Sequence, residues 1–113
     1  MTNEEVLQYN KRCAEFLGYL QHGRLIVISN IPTHVSNGKF HSDWNWIMEV
    51  VEAIENKGYD VAILSSMCRI YLNDELNDDI ITYVHLDKKE AVVKAINEFL
   101  VWYQKESHSN TAS

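Results

Sequence analysis

Residues 59–84 read YDVAILSSMCRIYLNDELNDDIITYV, and this stretch decides the fold class. Tyr59–Ser65 is a nearly continuous apolar run. Cys68, Ile70 and Leu72 then alternate with Arg69, Tyr71 and Asn73, a period of two that gives one buried face and one partly wet face. Asp74–Asp79 is a polar turn. Ile80, Thr82 and Val84 alternate with Ile81, Tyr83 and His85. The links are too short for crossover connections, so the three strands form an antiparallel meander.

Working outward, the residues before the meander form the clearest helix. Trp44, Ile47, Met48, Val51 and Ile54 recur at i, i+3, i+4, i+7 and i+10, and Trp46, Val50 and Ala53 widen that face. Ser42 or Asp43 caps its start, and Gly58 stops it just after Lys57. Glu49, Glu52 and Glu55 point toward solvent. After the meander, Asp87-Lys88-Lys89-Glu90 matches a capping box. Val92, Ile96, Phe99 and Tyr103 make a stripe, extended by Ala95, Leu100 and Trp102. A helix this apolar buries most of its circumference or meets a partner.

At the N-terminal end, Thr2 with Glu5 is another capping box, followed by Val6, Tyr9, Cys13, Phe16, Leu17 and Leu20 at helical spacing. Gly18 is the natural stop, although the pattern runs on toward Gly23. Arg24–Ser29, RLIVIS, is a short β-branched strand closed by Asn30, Ile31 and Pro32. Asn30 to His41, holding Pro32, Asn37 and Gly38, reads as a loop. The order is therefore α-β-α-β-β-β-α. The expectation is an α+β fold, a four-stranded mostly antiparallel sheet packed with three helices as an α/β sandwich. A single domain is expected over residues 1–106, with 107–113 (SHSNTAS) a disordered tail.

The bulk numbers narrow the function classes. The chain has 113 residues, 46% hydrophobic and 23% charged, with one proline and four glycines, an ordinary globular composition. Sixteen acidic against ten basic residues give a net charge of −6. That leaves few cations for neutralising phosphates or docking on an anionic membrane. The polar start MTNEEVLQYNKR is no signal peptide, and no apolar run spans a bilayer. The two cysteines, Cys13 and Cys68, read as small buried hydrophobes in a cytoplasmic protein.

The segment His41-Ser42-Asp43-Trp44-Asn45-Trp46 is the candidate site. Two tryptophans, a histidine and an aspartate at a helix start suit stacking of a base or holding of an anion. The competing account is a cap plus two core anchors, which gives every residue a structural role already. A nucleophile built from Cys68, His41 and Asp43, or a Ser42-centred triad, lacks any surrounding signature. The histidines at 22, 34, 41, 85 and 108 have no metal-ligand spacing, and no glycine-rich phosphate loop exists. No catalytic residue, metal or cofactor is therefore expected. Glu49, Glu52, Glu55 and the Asp74–Asp79 turn suggest a phosphate-track mimic, but a solvated helix face explains them more simply.

Three stretches carry a resemblance. They are Asn10-Lys11-Arg12-Cys13-Ala14-Glu15-Phe16-Leu17-Gly18, then Phe40-His41-Ser42-Asp43-Trp44-Asn45-Trp46-Ile47-Met48-Glu49-Val50-Val51-Glu52, then Glu90-Ala91-Val92-Val93-Lys94-Ala95-Ile96 with Trp102-Tyr103. Together they resemble small phage and prophage proteins of the phage ABA-sandwich domain, over roughly residues 10 to 103. The resemblance implies an α/β sandwich and a phage or mobile-element origin, and it brings no catalytic residues. The stretch between the RLIVIS strand and the Trp44 helix is shorter than the family pattern, which weighs against a second strand there.

The expected function is a phage or mobile-element accessory protein, not an enzyme, that acts in the host cytoplasm by binding a host protein. The alternative is a small-ligand binder, nucleotide-like in preference, using His41, Asp43, Trp44, Trp46 and Arg69. A homodimer would suit either reading.

Overall fold

Helix α1 (Asn3–Leu17) is set by its two ends. Thr2 Oγ1 accepts the Glu5 N–H at 3.2 Å and Glu5 Oε1 accepts the Thr2 N–H at 3.2 Å, the reciprocal capping box read from the sequence. Gly18 adopts φ 80°, and the N–H groups of Gly18 and Tyr19 close back on the Glu15 and Ala14 carbonyls. This left-handed stop suits glycine because it has no Cβ to clash. The computed structural model describes residues 2–22, 25–28, 31–34, 38–72 and 79–112. Two compact units divide the chain, Met1–Ala53 and Ile54–Ser113.

In the first unit α1 is followed by β1 (Leu20–His22), β2 (Leu25–Ile28) and β3 (Ile31–His34). They form an antiparallel sheet in the order β1-β2-β3. Leu20 faces Val27, and Val27 faces Pro32 on the other side. Two expectations are corrected here. In place of the one strand expected at Arg24–Ser29, Leu25–Ile28 is the centre of three described strands, and the 30–41 stretch contains the strand Ile31–His34 rather than only loop. Pro32 stands in an edge strand, where its missing N–H costs no ladder bond on the open side. Tyr9, Cys13 and Ala14 of α1, Ile26 of β2, Phe40, and Ile47, Val50 and Val51 of the next helix are all buried.

Helix α2 (Trp44–Asn56) crosses the boundary between the units. The turn Lys57–Gly58, with Gly58 at φ 100°, ends it directly before the next strand. In the second unit β4 (Tyr59–Leu64), β5 (Met67–Leu72) and β6 (Asp79–Val84) form the expected meander. The register slips between Ile70 and Tyr71, where Ile70 pairs Ile81 and Tyr71 pairs Asp79. Helix α3 (Lys88–Ala112) is capped by Asp87, whose Oδ1 accepts the Glu90 N–H at 3.0 Å. It lies on β5 and β6 and touches β4. Phe99 meets Tyr59 edge-on at 5.0 Å and stacks on Tyr103 at 5.7 Å. Cys68 and Ile70 are buried, as are Val92, Ala95, Ile96 and Phe99 of the helix.

The α+β class therefore holds, with three helices. The single four-stranded sheet of the expected α-β-α-β-β-β-α order does not, because among the described residues six strands pair as two three-stranded sheets. The Asp74–Asp78 part of the expected polar turn lies outside the described residues, as do Asn73 and the side chains of 107–113, the expected tail.

Both cysteines are free thiols. Burial pushes the Cys68 thiol up to about 11 and the Cys13 thiol well above its ordinary value. At pH 8 both thus stay protonated and shielded, and the thiolate is the reactive form. We expect no labelling by a thiol-specific reagent in the native protein at pH 8 and two labels per chain in urea.

Candidate functional site

The site begins with a turn. The Lys39 carbonyl accepts the N–H groups of Ser42 at 3.1 Å and Asp43 at 2.9 Å, folding residues 39–43 tightly before α2. Phe40 is fully buried on this turn and meets Trp46 edge-on, with ring centroids 4.8 Å apart at 73°. An edge-to-face pair aligns the positive ring edge with the negative face of its neighbour. Upstream, the fully buried Asn10 donates from Nδ2 to the Gly38 carbonyl at 3.1 Å. Asn10 thereby fixes the start of the turn to α1.

Asp43 is the cap of α2. Its Oδ1 accepts the Asn45 N–H at 2.9 Å and its carbonyl accepts the Ile47 N–H at 2.9 Å. The carboxylate is thus aimed at a backbone donor of its own helix. Ser42 is exposed on the same turn. Residues 41, 42 and 43 stand side by side rather than facing one another across a cleft, and the Cys68 thiol belongs to the other unit.

His41 is half-buried, and its Nδ1 is shut off from water with no hydrogen-bond partner among the described residues. Burial lowers its pKa below the ordinary value, because the charged imidazolium loses hydration. The unfolded chain binds the proton more readily, so this contribution is complete above the ordinary histidine range and shrinks as pH falls through the depressed value. We expect thermal stability to decline on acidification below about pH 6.5, with a smaller decline in His41→Gln.

Trp44 and Met48 sit one turn apart on α2 and are 37% and 38% exposed. Both were expected to fill the core. Ile47, Val50, Val51 and Ile54 take that role, which leaves Trp44 and Met48 at the wet edge of the stripe. Glu49 and Glu52 are exposed beside them, and the Tyr19 hydroxyl donates to Glu49 Oε1. Burial and that carboxylate push the Tyr19 hydroxyl up to about 12. Arg69, the fifth expected ligand residue, stands on β5 of the second unit, its guanidinium 5.5 Å from the centre of the Tyr71 ring.

Of the expected residues, the fold brings His41, Asp43, Trp44 and Trp46 onto one turn and the helix it opens. The sequence reading missed Phe40 as the partner of Trp46, and missed the Asn10–Gly38 and Tyr19–Glu49 links. A phenylalanine six residues before a tryptophan could have hinted at the first. No local signal marks the other two, whose partners are 28 and 30 residues apart.

Among the described residues no group of three or more histidine, cysteine or acidic side chains could hold a metal ion, and no helix is long and apolar enough to cross a membrane.

The described residues form an α+β protein with three helices, two antiparallel three-stranded sheets and a helix-capping turn that brings Phe40 against Trp46. Its fold is similar to that in the crystal structure of a phage protein from Bacillus cereus ATCC 14579, with a TM-score of 0.58 and 15% sequence identity. The similarity covers 81% of this chain and 88% of that one. At this identity it is a likeness of fold. No family model matches the chain, and no curated protein matches it.

Proposed function

We propose that the protein is a phage or mobile-element accessory protein that acts by binding a protein of the host cytoplasm. The observation that carries this reading is the outward edge of α2. Trp44 and Met48 stand there at accessible positions one turn apart, beside Glu49 and Glu52, and the helix contains no basic residue. Tryptophan and methionine are over-represented at interface centres, where a few large side chains supply most of the binding energy. The likeness of fold to a Bacillus cereus phage protein supports the origin, as does the resemblance of the 10–18, 40–52 and 90–103 stretches to the phage ABA-sandwich domain. The test is affinity capture from host lysate with the wild type and with Trp44→Ala/Met48→Ala. A stoichiometric partner retained by the first and lost by the second supports the reading. Equal capture by both removes the site, and turnover of a metabolite without any partner removes the class.

A second reading rests on His41. A shielded ring nitrogen with no hydrogen-bond partner among the described residues suits a small ligand that supplies one, with Trp44, Trp46 and Asp43 on the same turn and helix start. A thermal-shift screen of nucleotides discriminates. A ligand at 100 times its dissociation constant stabilises a one-site protein by about 2.7 kcal/mol. A flat response across the screen removes this reading.

A further inference from the structure

The open face of α2 is uncharged toward its start and acidic beyond it. At about 100° per residue, Trp44, Met48, Glu52 and Glu49 fall at about 0°, 40°, 80° and 140° around the helix. All four are exposed, whereas Ile47, Val50, Val51 and Ile54 are buried on the other side. The four therefore share one open sector. The carboxylates follow the Trp44–Met48 pair by about 7 Å along the axis.

Helix stability does not account for these charges. The C-terminal end of a helix is the negative end of its dipole and favours cations. Helix α2 has no acidic residue in its first turn and no basic residue in its last, and its three glutamates, Glu49, Glu52 and Glu55, all lie beyond Met48. The other two helices follow the favourable pattern, with Glu4 and Glu5 in the first turn of α1 and Glu90 in that of α3. Glu49 is also held in place, because the Tyr19 hydroxyl donates to its Oε1. With its pKa pushed up to about 12, that hydroxyl stays protonated and neutral. The contact thus orients the Glu49 carboxylate without cancelling its charge.

We propose that the occupant of this face is a cationic protein segment, which sets an apolar side chain on Trp44 and Met48 and an arginine or lysine against Glu49 and Glu52. This rests on the protein-binding reading above and specifies the chemistry of the partner. Charge complementarity selects it. Helix α2 offers no cation to an acidic partner, and the phosphates of a nucleic acid or an anionic membrane would meet carboxylates of their own sign. Arginine suits the face best, because a guanidinium pairs a carboxylate through two hydrogen bonds and also stacks on an indole ring.

The test uses two synthetic helical peptides of equal length and leucine content, one with arginine at its polar positions and one with glutamate. Each is titrated into the full chain and followed by NMR. The arginine peptide should bind, shift the Trp44 indole and Met48 methyl signals, and weaken as salt rises from about 0.1 to about 0.5 M. Glu49→Gln/Glu52→Gln should weaken it about tenfold. Glu15→Gln/Glu98→Gln, which removes two exposed carboxylates elsewhere, should not. The first pair should melt no lower than the wild type, since glutamine keeps an acceptor for Tyr19 and removes charge that opposes the dipole. Absence of binding overturns the proposal. So does equal weakening by both pairs, undiminished binding by Glu49→Gln/Glu52→Gln, or equal binding of the glutamate peptide. The host lysate separates this inference from the reading beneath it. A host protein lost by Trp44→Ala/Met48→Ala but kept by Glu49→Gln/Glu52→Gln overturns the cationic partner and leaves the accessory-protein reading standing. Capture of no host protein by the wild type removes that reading itself.

Discussion

Phe99→Ala lowers the stability of the second unit by about 3–5 kcal/mol, the range for truncating a fully buried aromatic side chain. Phe99 has no exposed surface and its ring meets Tyr59, Trp102 and Tyr103 at centroid distances of 5.0, 5.8 and 5.7 Å. Removing it costs the transfer energy of the ring and leaves three aromatic neighbours without their common centre. Leu100, the next residue along α3, is also buried but forms none of these ring contacts. The measurement is urea unfolding followed by circular dichroism. A loss below about 1 kcal/mol, a value typical of surface substitutions rather than core truncations, would mean that the aromatic group is not the core of this unit.

The second large effect lies in the first unit. A Cβ at Gly38 would stand 2.9 Å from Asn10 Cγ and 3.1 Å from its Nδ2. Asn10 is fully buried and its amide holds the Gly38 carbonyl, so it has little room to retreat. Gly38→Ala should cost about 1–3 kcal/mol, the scale of breaking a buried hydrogen bond and leaving its group unsatisfied. The decisive measurement is a double-mutant cycle. Asn10→Ala alone should be destabilising too, but Gly38→Ala should cost much less in that background, because the clashing amide is gone. Additive effects would show that the two residues are not coupled.

Much of this architecture was legible because strong periodicity coincided with clear stops. Helix α2 ends where Gly58 permits a positive φ, β4 is a short apolar run, and β5 alternates between buried and wetter positions. Thr2, Asp43 and Asp87 each cap the helix they precede. Strand β1 was hidden because Leu20 continues the i+3 spacing of Leu17, so three residues of strand read as more helix. Strand β3 was hidden because Pro32 argues for a loop unless the strand is an edge, and edge position is a property of pairing rather than of local sequence. The same limit governs the site. Asp43, Trp44 and Trp46 were visible as a cap and aromatic cluster, but whether Trp44 faces inward depends on where the apolar sector of α2 is centred. That sector is centred on Ile47, Val50, Val51 and Ile54, a few tens of degrees away from the assumed stripe.

The slip between Ile70 and Tyr71 has a bearing on edge-to-edge stacking of sheets. It leaves β4 with six residues in unbroken ladder pairing and β6 with a regular run of only Ile81 to Val84. Sheets stacked head to tail, β4 of one molecule on β6 of the next, would then fall out of phase after a few residues, and the extra twist of a bulged strand would compound the mismatch. An open-ended fibre needs that repeated step, whereas a closed object does not. One surplus residue in the outer strand thus disfavours repeated edge-to-edge stacking of the sheet.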